Sequence, residues 1–268
     1  MGEDLAGVTS RPDLLHRLVA ESAHEMEERR QVTPLAEVER LASRYEPRDF
    51  AGALRVNGLS VIAEVKQRTP SMGVLTTDYQ PAHLAASYER GGAAAISVLT
   101  HRAGFGGALD HLDAVREATT LPILRKDFIT ERYQLVEARA HGADAVLLIV
   151  AALTSHSLTD LINVANEHGV GALVEVHDAE EARVAVEAGA QLIGVNHRDL
   201  RTFDVDLTLT ERLRPMIPRD RVLVAESGIK GGADARRMRA AGADAILAGE
   251  VLMRATDPAA VIRELRGA

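Results

Sequence analysis

The chain has 268 residues, of which 46% are hydrophobic and 26% charged, the balance of an ordinary globular protein with ample core. A net charge of −8 excludes an overall basic field for nucleic acid or an anionic membrane, so any anionic ligand must be caught by a local site. The lack of cysteine excludes disulfides, thiolate metal sites and thiol catalysis.

The opening MGEDLAGVTS has neither the basic segment nor the apolar run of an export signal. The longest apolar stretch, AVLLIVAAL at 145–153, is too short to span a bilayer. The expectation is a cytoplasmic protein. Leu14, Leu15, Leu18 and Val19 recur at helical spacing toward Met26, and Thr33-Pro34 reads as an N-cap with proline at the first helical position. Residues 1–59 are therefore expected to form an N-terminal helical extension that covers one end of the remaining fold. No linker or low-complexity stretch divides the chain, so 1–268 reads as a single domain.

From residue 61 onward, eight apolar runs alternate with helical patterns. They are VIAEVK (61–66), AISVLT (95–100), PILRKD (122–127), AVLLIV (145–150), ALVEVH (172–177), LIGVN (192–196), VLVAES (222–227) and AILAG (245–249). Each is apolar almost throughout, as strands covered on both faces must be. GAAAI (92–96), GADAV (142–146), GAQLI (189–193) and GADAI (242–246) form an internal repeat of about fifty residues, in which a helix ends at glycine and a strand begins. Eight βα units in roughly 210 residues predict an α/β fold of the (β/α)8 TIM barrel type, with extra N-terminal helices. No G-x-G-x-x-G follows the first strand, which argues against an open dinucleotide-binding sheet.

The polar residues of these strands gather at their C-terminal ends. Glu64 and Lys66 lie two residues apart and share a face, while Ala63 and Val65 point toward the helices. Lys126, Glu175, Asn196 and Glu226-Ser227 end the third, fifth, sixth and seventh strands. In a barrel those ends form one rim, where active sites are built. A lone Glu–Lys pair there is as readily a structural plug as a catalytic device. Five charges on four strands are different, because burying them without function would be very expensive.

SGIKGG (227–232) leaves the seventh strand and AGEVLM (248–253) the eighth, each opening a helix. Glycine there lets backbone amides approach an anion, at the place where barrels often hold phosphate. His101, His177 and His197 each follow a strand-end residue and offer a metal reading, but no His-x-His pair supports it.

The stretches IAEVKQRTPSMG, ISVLT, LPILRKDFI, LLIV, LVEVHD, GVNHRDL, VAESGI and GEVLMR, spread over residues 62–254, resemble the indole-3-glycerol phosphate synthase family, and the helical extension fits as well. The resemblance implies conversion of 1-(2-carboxyphenylamino)-1-deoxyribulose 5-phosphate to indole-3-glycerol phosphate in tryptophan biosynthesis, with loss of carbon dioxide and water. It implies Lys126 as the general acid for ring closure and Lys66, held by Glu64, as a second ammonium near the substrate carboxylate or the leaving hydroxyl. Glu175 is the implied carboxyl partner in dehydration, with the lysine for that step left open. Glu226, Asn196 and Ser227 complete the catalytic set, the first two orienting hydroxyls. Thr69, Pro70, Phe105, Phe128 and Arg198 would touch the substrate. Its phosphate would lie around Gly228, Ile229, Gly249 and Glu250, helped by the Thr69 hydroxyl. No cofactor and no metal are implied. The partner is a phosphorylated small molecule, not nucleic acid or membrane, and the chain would be a monomer or weak oligomer.

The chain departs from the family pattern in places. Thr69-Pro70-Ser71 stands for the usual Ser-Pro-Ser and keeps the hydroxyl, and Gln67 stands where a basic residue is frequent. After ISVLT, His101 and Gly107-Ala108 replace the usual acid and Gly-Ser. These leave room for a paralogue acting on a modified anthranilate-derived substrate in a secondary pathway. A Schiff-base aldolase using Lys126 or Lys66, and a catalytically silent binding subunit, are further alternatives. The retained Lys66, Lys126, Glu175 and Asn196 argue against silence.

Overall fold

Residues 13–70, 72–199 and 202–267 are described by the computed structural model. Eight parallel strands close into a barrel: β1 (Ser60–Val65), β2 (Ala95–Leu99), β3 (Ile123–Lys126), β4 (Ala145–Ile149), β5 (Gly171–Val176), β6 (Leu192–Asn196), β7 (Val222–Glu226) and β8 (Ala245–Ala248). Each pairs with the next, and β1 returns to β8 through register pairs such as Ile62 with Leu247. All but β6 end one residue earlier than the sequence suggests, because the ladder stops where the chain bends into the rim loops. The expected repeat glycines terminate helices in the left-handed conformation, with φ of 87° at Gly92, 82° at Gly142, 84° at Gly189 and 89° at Gly242. Glycine alone adopts it at no steric cost, which is why the motif recurs there.

Alternation along the strands sorts the core. Val61, Ala63 and Val65 pack against the outer helices, whereas Ile62, Leu124, Leu147, Leu173, Val224 and Leu247 fill the barrel interior. Phe50 and Leu54, on a short helix (Phe50–Leu54), belong to the same interior cluster. An apolar interior leaves the C-terminal mouth as the outlet for charged side chains on the inward face.

Two further helices, α1 (Asp13–Val32) and α2 (Leu35–Ala42), precede the barrel. The expected cap is corrected by one residue: Pro34 itself occupies the cap position of α2, without a side-chain hydrogen bond. The Thr33 amide still bonds back to Arg29 (2.8 Å), so Thr33 completes the last turn of α1 instead of opening α2. Met26, Val38 and Ala42 pack on Tyr133, Val136 and Ala140 of the helix after β3 (Arg132–Ala140). Beside that contact lies a buried ionic lattice. Arg125, fully buried, donates to Asp127 (3.0 Å) and Glu137 (2.9 Å), and Arg29 of α1 reaches Glu137 at 2.6 Å. Ser22 of α1 donates to Asp127 (3.1 Å), tying the helix to the end of β3. Among the described residues, no helix is long and apolar enough to cross a membrane.

Candidate active site

A cavity of about 910 Å³ opens at the C-terminal mouth, and every catalytic, substrate-binding and phosphate-binding residue that the family resemblance implies lines it, whereas His101, His177 and His197 do not. Glu64 and Lys66 come from β1 and its edge, and Thr69 and Pro70 from a small antiparallel ribbon (Arg68–Thr69 with Gly73–Val74) just beyond. Lys126, Glu175, Asn196 and Glu226 rise from β3, β5, β6 and β7. Phe105, Phe128, Arg198, Ser227, Gly228, Ile229, Gly249 and Glu250 come from the rim loops and helix starts.

Lys126 stands between two carboxylates, its ammonium 3.2 Å from Glu175 Oε2 and 3.2 Å from Glu226 Oε2. Burial works against its charge, but Glu226, Glu175 and Glu64 together outweigh it and hold the ammonium well above the usual lysine range. The two carboxylates differ. Burial pushes the Glu226 carboxyl up to about 7; Lys126 pulls it down, while negative Glu175 and Glu64 push it higher. Its Oε1 is buried without a hydrogen-bond partner, and the missing side chain of Gly194 leaves room for it. Glu175 is equally buried, yet Lys126, His177 and a hydrogen bond from Asn196 overcome that burial and hold it below the ordinary carboxylate range. Two carboxylates sharing one ammonium thus have unequal proton affinities, the arrangement that separates an acid from a base. Glu64 and Lys66 are directly paired at the β1 edge, and Gly249 leaves the space that the ends of both side chains occupy.

The turn after β7 is held in an unusual conformation. Ser227 has φ of 66° and Gly228 of 80°, so a non-glycine residue sits in the left-handed region beside the cavity. His197 braces it: Nδ1–H donates to the Ser227 carbonyl (2.9 Å), and Nε2 accepts from the Thr210 hydroxyl (2.7 Å). Burial lowers the affinity of this imidazole for a second proton. His101 instead caps a short helix (Arg102–Phe105), accepting from the Gly104 amide at 3.0 Å. The three histidines therefore have separate surroundings, and among the described residues no group of three or more metal-ligating side chains converges.

One wall of the cavity is apolar, made by Phe105, Phe128, Leu99, Leu147 and Ile149, with the two rings 6.3 Å apart. Leu14 and Leu18 of α1 complete it. Their helical spacing was legible, but which surface the helix faces is a tertiary property. The opposite wall holds the glycine turns together with Lys230 and Arg254, two cations that the motifs did not single out. Lys230 N–H and Gly232 N–H already donate to Asp234 and Glu264 (2.9 Å each). Thr69 Oγ1 accepts the Met72 amide (3.1 Å), so this hydroxyl shapes the ribbon turn as well as lining the cavity. Gln67 packs toward Gly106 and is not part of the cavity wall. Ser71 lies outside the described residues.

Fold and rim together define a (β/α)8 barrel whose C-terminal mouth gathers paired ammonium and carboxylate groups. The chain matches the indole-3-glycerol phosphate synthase family over residues 15–265, and it belongs to that family. It is 55% identical to indole-3-glycerol phosphate synthase 2 of Streptomyces coelicolor, over 95% of this chain and 99% of the relative. It is 46% identical to an indole-3-glycerol phosphate synthase of Dehalococcoides mccartyi, over 94% and 99%. The Mycolicibacterium gilvum enzyme of that name is 50% identical over 88% of each chain. Among solved structures, 3-hexulose-6-phosphate synthase of Salmonella typhimurium superposes with a TM-score of 0.63 at 18% identity, covering 78% of this chain and 97% of the other, which reflects the shared barrel alone.

Proposed function

We propose that the protein closes the indole ring of 1-(2-carboxyphenylamino)-1-deoxyribulose 5-phosphate, releasing carbon dioxide and water and yielding indole-3-glycerol phosphate for tryptophan biosynthesis. The observation that carries this reading is the single ammonium of Lys126 bridging two buried carboxylates of unequal proton affinity, inside a cavity with an apolar wall facing two glycine turns that carry Lys230 and Arg254.

The chemistry sets the requirements. The aromatic carbon bearing the carboxylate attacks the ribulose carbonyl, the oxygen takes a proton, and carbon dioxide departs as the ring regains aromaticity. The new hydroxyl then leaves as water with one proton from an acid, while one proton passes from the neighbouring carbon to a base. One net proton enters per turnover. In this reading Lys126 protonates the carbonyl oxygen, and Glu226, 3.2 Å away with its carboxyl pushed up to about 7, is suited to restore that proton. Glu175, held ionised, is the base for dehydration. Lys66, fixed by Glu64, faces the departing carboxylate or hydroxyl, with Arg198 the nearer candidate than Gln67 for the ring carboxylate because only Arg198 lines the cavity. The rings of Phe105 and Phe128 suit the aryl group. The phosphate fits the Gly228–Ile229 and Gly249–Glu250 turns, with Lys230 and Arg254 supplying charge; Glu250, which pairs with Arg254 (3.4 Å), contributes through its backbone.

The chain contains no tryptophan, so indole emission rises from a protein background free of indole. Incubation with the carboxyphenylamino substrate should give indole fluorescence and an equal amount of carbon dioxide. Substrate loss without either product would overturn the assignment.

A further inference from the structure

The acid–base division between Glu175 and Glu226 needs a cause, because both are buried and both touch Lys126 at the same distance. Besides the Asn196 hydrogen bond to Glu175 and the Glu64 charge acting on Glu226, part of the difference lies behind Glu175. His177 lies two residues beyond it, just past the end of β5, and is absent from the cavity wall. Its Nε2 is 3.4 Å from Glu175 Oε1, buried and without an aligned hydrogen bond. Its Nδ1–H faces Glu181 Oε2 at 3.2 Å, and its backbone amide donates to the same oxygen at 2.7 Å. Glu181 belongs to the first turn of the following helix (Ala179–Glu187), fixed there by the Asp178 cap, which accepts the Glu181 amide at 2.8 Å. Among the described residues Glu226 has no comparable group behind it, since its Oε1 is unpartnered.

We infer that His177 is a positioning residue that acts through Glu175: backed by Glu181, its imidazolium places a second cation on the face of Glu175 opposite Lys126. Glu175 is thereby kept as the ionised base, and Glu226 becomes the proton carrier. The charged groups acting on His177 are Glu175 from β5, Glu181 from the helix and Glu226 from β7, all negative, with Lys126 beyond Glu175. Burial lowers the imidazole's proton affinity, but the bond to Glu181 and the charges of Glu175, Glu181 and Glu226 outweigh it and raise it above the ordinary histidine range. The imidazolium side chain is only 17% exposed and Glu181 19%, so bulk water screens the chain of charges weakly.

This inference rests on the ring-closure reading, and the two fail separately. If wild type forms no indole product, the reaction assignment fails. Given turnover, kcat–pH profiles of wild type, His177→Leu, His177→Gln and Glu181→Gln test the positioning role. Loss of the imidazolium leaves Glu175 easier to protonate, so the acid limb of kcat should move up by about one pH unit in His177→Leu, roughly a tenfold loss on that limb, with KM little changed. Glu181→Gln should move it the same way by less. His177→Gln keeps an N–H donor without charge, so its acid limb should stay displaced as in His177→Leu. An acid limb that stays in place in His177→Leu, or that returns to the wild-type position in His177→Gln, would overturn the inference.

Discussion

Arg125 and Lys126 are neighbours on β3, both cationic and largely buried, and they face opposite sides of the barrel wall. Arg125 is saturated: it donates to the Thr100 hydroxyl (3.1 Å), the Gln134 carbonyl (2.8 Å), Asp127 and Glu137. Its planar fork suits several fixed acceptors at once. Lys126 has two carboxylates, one of them with an orphan oxygen, and an open cavity above. Burial alone therefore does not mark a charge as catalytic. Completeness of its partners separates the two, since a satisfied cation stabilises and an incompletely satisfied one is available for chemistry.

The structural half of this contrast breaks first at Arg125. Arg125→Met would leave Asp127 and Glu137 buried beside a missing cation, and should cost about 3–5 kcal/mol in denaturant unfolding. Any kinetic change should appear in KM, because Asp127 helps hold α1 against the cavity. Unchanged unfolding with a collapsed kcat would mean that the outer lattice takes part in chemistry.

Glu226→Gln should act in the opposite sense on stability. The Glu226 carboxyl is raised from the ordinary 4.5 to about 7, so the folded state favours its neutral form. Wild-type stability from this group is fully present below pH 4.5 and is lost as pH rises through 7. Glutamine mimics the neutral acid at every pH, so the variant should be more stable above pH 7, by roughly 3 kcal/mol at most, and show no gain near pH 4. A melting temperature that rises equally at both pH values would remove the titration argument. The smallest effect is expected at Gln67: because it packs toward Gly106 and not into the cavity, Gln67→Arg should change KM by less than about threefold. A larger fall in KM would restore it as a carboxylate contact.

Much of this was legible in the sequence, for identifiable reasons. Continuous apolar runs and left-handed glycines located all eight strands, and period-two alternation aimed Glu64, Lys66, Lys126, Glu175 and Glu226 into one mouth. What could not be read were facts of tertiary packing. The direction of Gln67 depends on Gly106, and the wall made by Leu14 and Leu18 depends on where α1 docks. Lys230 and Arg254 stand on rim segments where cations are common, so nothing in their spacing marked them. The histidines invited a metal reading because spacing along the chain does not reveal that each already has its own partner.

The contrast within β3 is tested most directly by Lys126→Met, measured for substrate binding by calorimetry and for turnover by indole emission on the same preparation. Removal of an acid used in the transition state should lower kcat by about 10²-fold or more while the substrate still binds and the protein stays folded. A near-normal kcat would contradict the assignment of Lys126 as the general acid, and loss of folding comparable to Arg125→Met would place it with the structural cations instead.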